Sequence, residues 1–361
     1  MGGGGAARTL LNIINNLDRE KFSPMLVTLN FDGSYENELK EDVEFIKLDT
    51  QRLSRSIFKL AKIIKNEEVD IVFSTIPRVN TIAILATIFS FSKAKSVVRE
   101  ADNLGGDLKT DLQLLGFGFM YKFSNQIVSL SEGVKENLVN KYKVKSEEIK
   151  VIYNPVDLNK INEKIENDQT DPKYQSIFNN PNEKVIITAG RLVEQKDHQT
   201  LLNAFAKTNA KISSRLVILG EGHLKEKLQQ QAEDLNIKDR VHFIGFQSNP
   251  YIYFQQADLF VLSSKHEGFC HVIAEALATG TPVVSTDCKS GPSEVLDKGQ
   301  YGLLCQVGNV DEMAENMLCV LGFNEDQRTE FIEKGLQRVS DFDATKIVRR
   351  YEEVFLKTLN K

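Results

Sequence analysis

The stretch "LFVLSSKHEGFCHVIAEALATGTPVVST" (259–286) sets two carboxylates in an otherwise apolar setting. Leu259 to Leu262 reads as a buried strand ending by Ser264, Glu267-Gly268-Phe269 as a turn, and His271 onward as a helix. Glu275 then stands among Ile273, Ala274, Ala276 and Leu277. A carboxylate buried there without a partner costs roughly several kcal/mol. Sugar hydroxyls, donors without charge, would meet both glutamates, and Gly268 would let a ligand approach the backbone. The plainer alternative is an exposed Glu267 and a Glu275 paired with a nearby cation.

A second stretch, "ITAGRLVEQKDHQTLL" (187–202), supplies positive charge. A strand ends at Ala189-Gly190, Arg191 follows at once, and Lys196 precedes Asp197, the expected N-cap of the next helix. Backbone N–H groups, a helix dipole and two cations at the carboxyl end of a strand suit a diphosphate. Two solvated loop cations are the alternative.

The elements that position these loops alternate. "PMLVTLN", "VEFIKL", "VDIVFST", "KSVVRE", "QIVSL" and "IKVIYN" are strand-like runs, separated by helical spacings such as Leu53, Ile57, Leu60, Ile63 and Ile64. The polar stretch 154–184, with three of the eight prolines, breaks the rhythm and reads as a passage between domains. Strands and helices then alternate again to the last amphipathic segment, "ATKIVRRYEEVFLKTL". The pattern predicts an α/β protein of two Rossmann-like, doubly wound domains facing a cleft, with ligands beyond the carboxyl ends of the strands. The boundaries expected are 1–155, 156–340, and a C-terminal helix over 341–361 that crosses back to the first domain.

Taken in this order and spacing, Glu267 and Glu275, the "EGF" turn, "AGRLVEQKDH", "ATGTPVVST", "VIYNPVD" and "CKSGPSEVL" (288–296) resemble glycosyltransferase family 4, of the GT-B fold. The resemblance covers nearly the whole chain. It implies a retaining, metal-independent transferase with no cofactor. The enzyme would move a hexose or N-acetylhexosamine from a nucleotide-diphosphate sugar, UDP-linked, to a glycan or lipid-linked acceptor in surface polysaccharide assembly. Arg191 and Lys196, beside Gly190, would hold the diphosphate. Glu267 and Gly268, with the backbone at Phe269, Cys270, His271 and Val272, would face the donor sugar. Glu275 would bind the ribose and the segment at Phe246 the base. Gly3 and Gly4, in the glycine turn that opens the chain, would face the diphosphate from the acceptor domain. Fixed cations aimed at charge developing on the leaving diphosphate would lower the barrier.

The acceptor side departs from the family pattern. Where members often carry a histidine, this chain has "VVREADN", and Glu100 is the candidate contact for the acceptor hydroxyl, with Arg99 as a salt-bridge alternative. The strand that normally precedes a glycine turn is not in the sequence. In this topology it would be central, so its neighbours are expected to lack ladder partners, and the natural product is expected to start upstream. A glycosyl donor-binding protein without turnover, or a nucleotide-sugar epimerase on the same fold, is the alternative function.

Weaker signals are read more plainly. Gly2-x-Gly4-x-x-Ala7 fits a dinucleotide fingerprint, with Asp32 as ribose acid, but lacks its strand. The "DFD" at 341–343 is read as a helix N-cap at Asp343 rather than a metal site. "LLGFGFMYKF" (114–123) is read as a buried helix, or as an apolar lip for a lipid-linked acceptor or bilayer. The net charge of −5 does not favour nucleic acid as a partner, and the four cysteines form no CxxC pair. With no spanning stretch and no leader, the expectation is a cytoplasmic protein, at the inner face of the membrane.

Overall fold

The computed structural model describes residues 5–28, 38–48, 50 and 53–360. Gly3, Gly4 and Asp32, named above, lie outside the described residues. The chain divides into two compact units: Met1–Pro155 with Phe342–Lys361, and Val156–Asp341.

Unit 1 contains α1 (Gly5–Asn16), β1 (Met25–Thr28), β2 (Glu44–Lys47), α2 (Leu53–Asn66), β3 (Ile71–Thr75), α3 (Pro77–Phe89), β4 (Lys95–Glu100), α4 (Leu108–Tyr121), β5 (Gln126–Ser129), α5 (Glu132–Asn140) and β6 (Ile149–Val151). Unit 2 contains α6 (Leu158–Asn167), α7 (Pro172–Phe178), β7 (Lys184–Ala189), α8 (His198–Asn209), β8 (Ser214–Leu219), α9 (Lys225–Asp234), β9 (Val241–Gly245), α10 (Tyr251–Gln255), β10 (Leu259–Leu262), α11 (His271–Ala278), β11 (Val283–Thr286), α12 (Pro292–Val295), β12 (Leu303–Cys305), α13 (Val310–Leu321) and α14 (Glu325–Val339). The final helix, α15 (Ala344–Leu359), belongs to unit 1.

In unit 2 the strands form one sheet of order β12-β11-β10-β7-β8-β9, every pair parallel. Its central strands are buried on both faces, which is why they read as unbroken apolar runs. From β7 the chain winds outward through β8 to β9, then returns to β10 on the other side of β7. The chain therefore leaves β7 and β10 toward opposite edges of the sheet, and the carboxyl ends of these two strands are its topological switch point.

In unit 1, β3-β4-β5-β6 form a parallel sheet and β1 pairs only with β2 among the described residues. The buried face of α1 carries Thr9, Leu11, Asn12 and Ile13, with Asn12 Nδ2 donating to Pro155 O at 3.0 Å. Leu17, just past the helix, packs on the same core, and the polar Asn12 is accommodated on the buried face by its backbone partner. Ile347, Val348, Tyr351 and Phe355 of α15 join Ile13, Val97, Val128 and Ile152 in one core. The fully buried Arg99 ties β4 to that helix: Nε donates to Tyr351 Oη at 3.0 Å, and the other guanidinium nitrogens to Thr75 Oγ1 and Asn154 Oδ1.

The polar stretch after Pro155 is helical rather than irregular. Asp157 caps α6 by accepting from Lys160 N, and Asp171 caps α7 by accepting from Lys173 N, with Pro172 in its first turn. Asp343 likewise caps α15, accepting from Thr345 N at 2.9 Å, while Asp341 pairs with Arg338 at 2.9 Å. Both acids of the "DFD" are thus engaged in unlike roles.

Candidate donor site of unit 2

Two loops meet at the switch point. After β7 the chain passes Gly190, Arg191 and Lys196 before entering α8; after β10 it passes Ser263, Ser264 and Glu267 before α11. They are stitched by backbone and side chain. Ser263 Oγ donates to Lys196 O at 2.7 Å, Lys265 N to Gln195 O at 2.8 Å, and Gln195 Nε2 to His266 O at 2.9 Å. A third loop joins them, since Thr286 Oγ1 at the end of β11 donates to Ser264 O at 2.7 Å.

Within this frame Lys196 Nζ lies 2.5 Å from Glu267 Oε1, and Ser264 Oγ donates to the same oxygen at 2.6 Å. Both charged side chains are largely buried, at 15% and 10% exposure. The Lys196 stem crosses Gly190, where an added Cβ would sit 3.4 Å from its carbons. The closeness of β7 to β8 is set by Gly220, whose φ is +129° and whose Cβ would stand 2.1 Å from Gly190 O. Arg191 is exposed on the same loop as Lys196.

Asp197 occupies the N-cap position of α8, as its sequence context suggests, but in left-handed backbone (φ 45°) and without a side-chain cap. Its carboxylate instead accepts from Thr200 Oγ1 at 2.8 Å and faces Lys265 at 3.8 Å. His198 follows it inward; burial, with the Lys196 charge, lowers its pKa to about 4, so it is neutral near pH 7.

The turn into α11 is equally constrained. Cys270, also left-handed at φ 68°, is the N-cap residue of α11 and is buried. Burial pushes its thiol well above the usual range and that of Cys288 up to about 12, so neither is a thiolate at neutral pH. Gly291, at φ +88°, packs so closely that a Cβ would be 3.0 Å from the Phe269 carbonyl carbon and Cys270 Sγ. The Phe269 and His271 rings meet edge-on at 5.6 Å. Val272 is half-buried in the first turn of α11.

Glu275 is 2% exposed, and Tyr251 Oη lies 3.4 Å from its Oε1. Phe246, just past β9, is exposed.

The sequence matches the family descriptions "Glycosyltransferase Family 4" over residues 3–160 and "Glycosyl transferases group 1" over residues 169–338. It is 30% identical, across 97% of this chain and 95% of the relative, to the N-acetylgalactosamine-N,N'-diacetylbacillosaminyl-diphospho-undecaprenol 4-alpha-N-acetylgalactosaminyltransferase of Campylobacter jejuni. The chain belongs to glycosyltransferase family 4. A further relative, the N-acetyl-alpha-D-glucosaminyl L-malate synthase of Bacillus anthracis, is 28% identical over 83% of this chain and 78% of its own length. In fold, the structure resembles Anabaena HepE, solved in complex with UDP, with a TM-score of 0.82 at 20% identity over 98% and 96% of the two chains. This glycosyltransferase therefore has the GT-B fold expected from its sequence.

The structure joins Lys196 to Glu267 and places Gly190, Arg191, Gly268, Phe269 and Cys270 on the same pair of loops, with His271 and Val272 opening α11. Ser264 and Tyr251, which hold the two glutamates, were not singled out from the sequence. The paired serines after an apolar strand were the available signal for Ser264; Tyr251 offered none.

Glu100 needs correcting. It lies in unit 1, 1% exposed, with Oε1 accepting from Tyr121 Oη and from Asn80 Nδ2 at 3.0 Å, and Oε2 facing Tyr142 Oη at 3.3 Å. A carboxylate enclosed by two tyrosines and an asparagine does not reach an acceptor hydroxyl. Nor is Arg99 its hydrogen-bonded partner; that guanidinium turns to Tyr351, Thr75 and Asn154.

Proposed function

We propose that this glycosyltransferase moves a hexosyl or N-acetylhexosaminyl unit from a UDP-linked sugar, with retention of anomeric configuration, to a glycan carried on a lipid. The observation that carries the reading is the Lys196–Glu267–Ser264 cluster at the switch point of unit 2. Cleaving the bond between sugar and diphosphate builds negative charge on the leaving group. Arg191 and Lys196 enter from one loop to neutralise it, so the reading needs no metal ion and no cofactor. Glu267 and the backbone that opens α11 face the sugar from the other loop, and Glu275, braced by Tyr251, binds the ribose. Phe246 lies against the base.

The names of similar proteins support the substrate classes. The Campylobacter jejuni relative is an N-acetylgalactosaminyltransferase acting on an undecaprenol-linked glycan, and HepE was solved with UDP. Among the described residues no helix is long and apolar enough to cross a membrane, and on this reading a lipid-linked acceptor is met at the bilayer surface.

The test is a thermal-shift screen over nucleotide sugars, followed by transfer assays with and without EDTA. A donor at about 100 times its dissociation constant adds about 2.7 kcal/mol. Stabilisation by UDP-sugars and transfer that survives EDTA support the reading. Stabilisation without release of UDP would return the chain to a donor-binding role, and conversion of the donor sugar without any acceptor would make it an epimerase.

A further inference from the structure

The helices α2, α3 and α4 lie side by side on unit 1, and their outward faces are unusually apolar. On α4, Leu108, Leu112, Leu115 and Phe119 recur at helical spacing along one stripe, all exposed, with Leu108 at 91% and Leu112 at 70%. Only Leu114, Gly118 and Tyr121 of that helix are buried, so the buried-helix reading of 114–123 accounts for one face alone. Phe123 extends the stripe and stacks edge-on with Phe119 at 5.6 Å.

Beside it, Phe58 of α2, 70% exposed, meets Phe89 of α3 with ring centroids 5.6 Å apart. Phe91 follows at 86% exposure, and its backbone is left-handed at φ 50°. A bulky L-residue adopts that conformation at a cost, here with its ring turned to solvent rather than into the core.

Charge identifies the occupant. The sequence of α2, "LSRSIFKLAKIIKN", has four cations and no acid. Arg55, Lys59, Lys62 and Lys65 fall on the same exposed face as Phe58, and the first acids, Glu67 and Glu68, come after the helix has ended. Lys93 adds to the patch near Phe91, and Lys109 and Lys122 flank the α4 stripe. The one acid within α4, Asp111, is tied to Lys141 at 2.6 Å. A second copy docking by two-fold symmetry would set these cations against themselves. Apolar side chains ringed by cations complement a surface of acyl chains under anionic headgroups.

We infer that the outer face of α2, α3 and α4 docks on an anionic phospholipid bilayer, inserting Phe58, Phe91, Phe119 and Phe123 while the α2 cations engage headgroups. The inference rests on the proposed function only for the surface's purpose, which is to hold unit 1 where a lipid-carried acceptor presents its glycan.

The full chain is sedimented with vesicles of phosphatidylcholine alone and of phosphatidylcholine with phosphatidylglycerol, at low and high salt. Partition to anionic vesicles that weakens with salt is expected. Each cation at such a surface is worth about fivefold in partition, so Lys62→Gln/Lys65→Gln is expected to lower it more than tenfold. Phe58→Ser/Phe91→Ser is expected to lower it at least as much, with melting and UDP-sugar binding unchanged. No partition to anionic vesicles, or partition indifferent to both pairs, overturns the inference. So does a dimer in solution that the phenylalanine pair abolishes, since a second copy would then be the occupant. UDP-sugar binding on the same preparations separates the two readings: kept without partition, it leaves the donor site standing and removes the membrane surface; lost with partition intact, it removes the donor reading alone.

Discussion

Lys196 and Glu267, seventy-one positions apart in the chain, share a 2.5 Å ion pair across the switch point of the unit 2 sheet, and Ser264 fixes the same carboxylate oxygen. The pair holds its cation on the loop after β7, where it already faces a carboxylate. Neutralising either partner should therefore move diphosphate affinity in opposite directions. Glu267→Gln keeps an oxygen for Ser264 and releases the full Lys196 charge, so UDP affinity is expected to rise about three- to tenfold while transfer falls. Lys196→Ala is expected to weaken UDP and lower kcat by about 10²–10³. Calorimetric titration of UDP against both variants checks the signs; equal changes in the same direction would show that the pair is structural.

Glu100 predicts a pH dependence of unit 1. Burial pushes its carboxyl up to about 7, against the downward pull of hydrogen bonds from Tyr121, Asn80 and Tyr142 and of the Arg99 charge. The native chain thus holds a proton that the unfolded chain has released. Stability contributed by the neutral acid is full below the ordinary carboxyl value of 4.5 and is lost as pH rises through 7. The difference corresponds to about 3 kcal/mol. Glu100→Gln, neutral at every pH, is expected to flatten this slope and to stabilise unit 1 most above pH 7. Hydrogen exchange in β4 and α4, followed from pH 5 to 8 for both proteins, measures it.

Tyr251 reaches Glu275. Its hydroxyl, 3.4 Å from the carboxylate, is a long bond, and its loss should cost about 1 kcal/mol or less in folding. If Glu275 engages the ribose, Tyr251→Phe is expected to raise the KM for donor about three- to tenfold with kcat nearly unchanged, because the proposed chemistry lies at Lys196 and Glu267 rather than at the ribose. A fall in kcat at constant KM would place Tyr251 elsewhere in the reaction.

The same contrasts show what was legible in the chain. Strand ends at Gly190 and Ser264 stand out because short apolar runs break into polar loops, so residues placed just beyond them fall at the carboxyl edge of a parallel sheet. Lys196 and Glu267 were accessible by that logic. Glu100 closes strand β4, yet its surroundings are set by Asn80, Tyr121 and Tyr142, which arrive from other elements and leave no mark near "VVREADN". The helices α6 and α7 were obscured by prolines, though Asp157 and Asp171-Pro172 are N-cap signals in their own right. The sequence leaves the α4 stripe open between a buried helix and an exposed lip, since an apolar face at helical spacing looks the same whether it meets a core or solvent.

Gly220 offers a test of how tightly the donor loop is shaped. Its φ of +129° is costly for an L-residue, and an added Cβ would stand 2.1 Å from Gly190 O, a backbone atom that cannot rotate away. Gly220→Ala must therefore push the Gly190–Lys196 loop off the sheet, at about 1–3 kcal/mol beyond the backbone strain. Gly106 supplies the control: its φ is +127°, but nothing lies within 4 Å of an added Cβ, so Gly106→Ala carries strain alone, about 1 kcal/mol. The two variants should separate by denaturant midpoint, and Gly220→Ala alone should weaken UDP binding. Equal loss in both would mean that the loop tolerates the displaced carbonyl, and that Lys196 keeps its place without the close approach of β7 and β8.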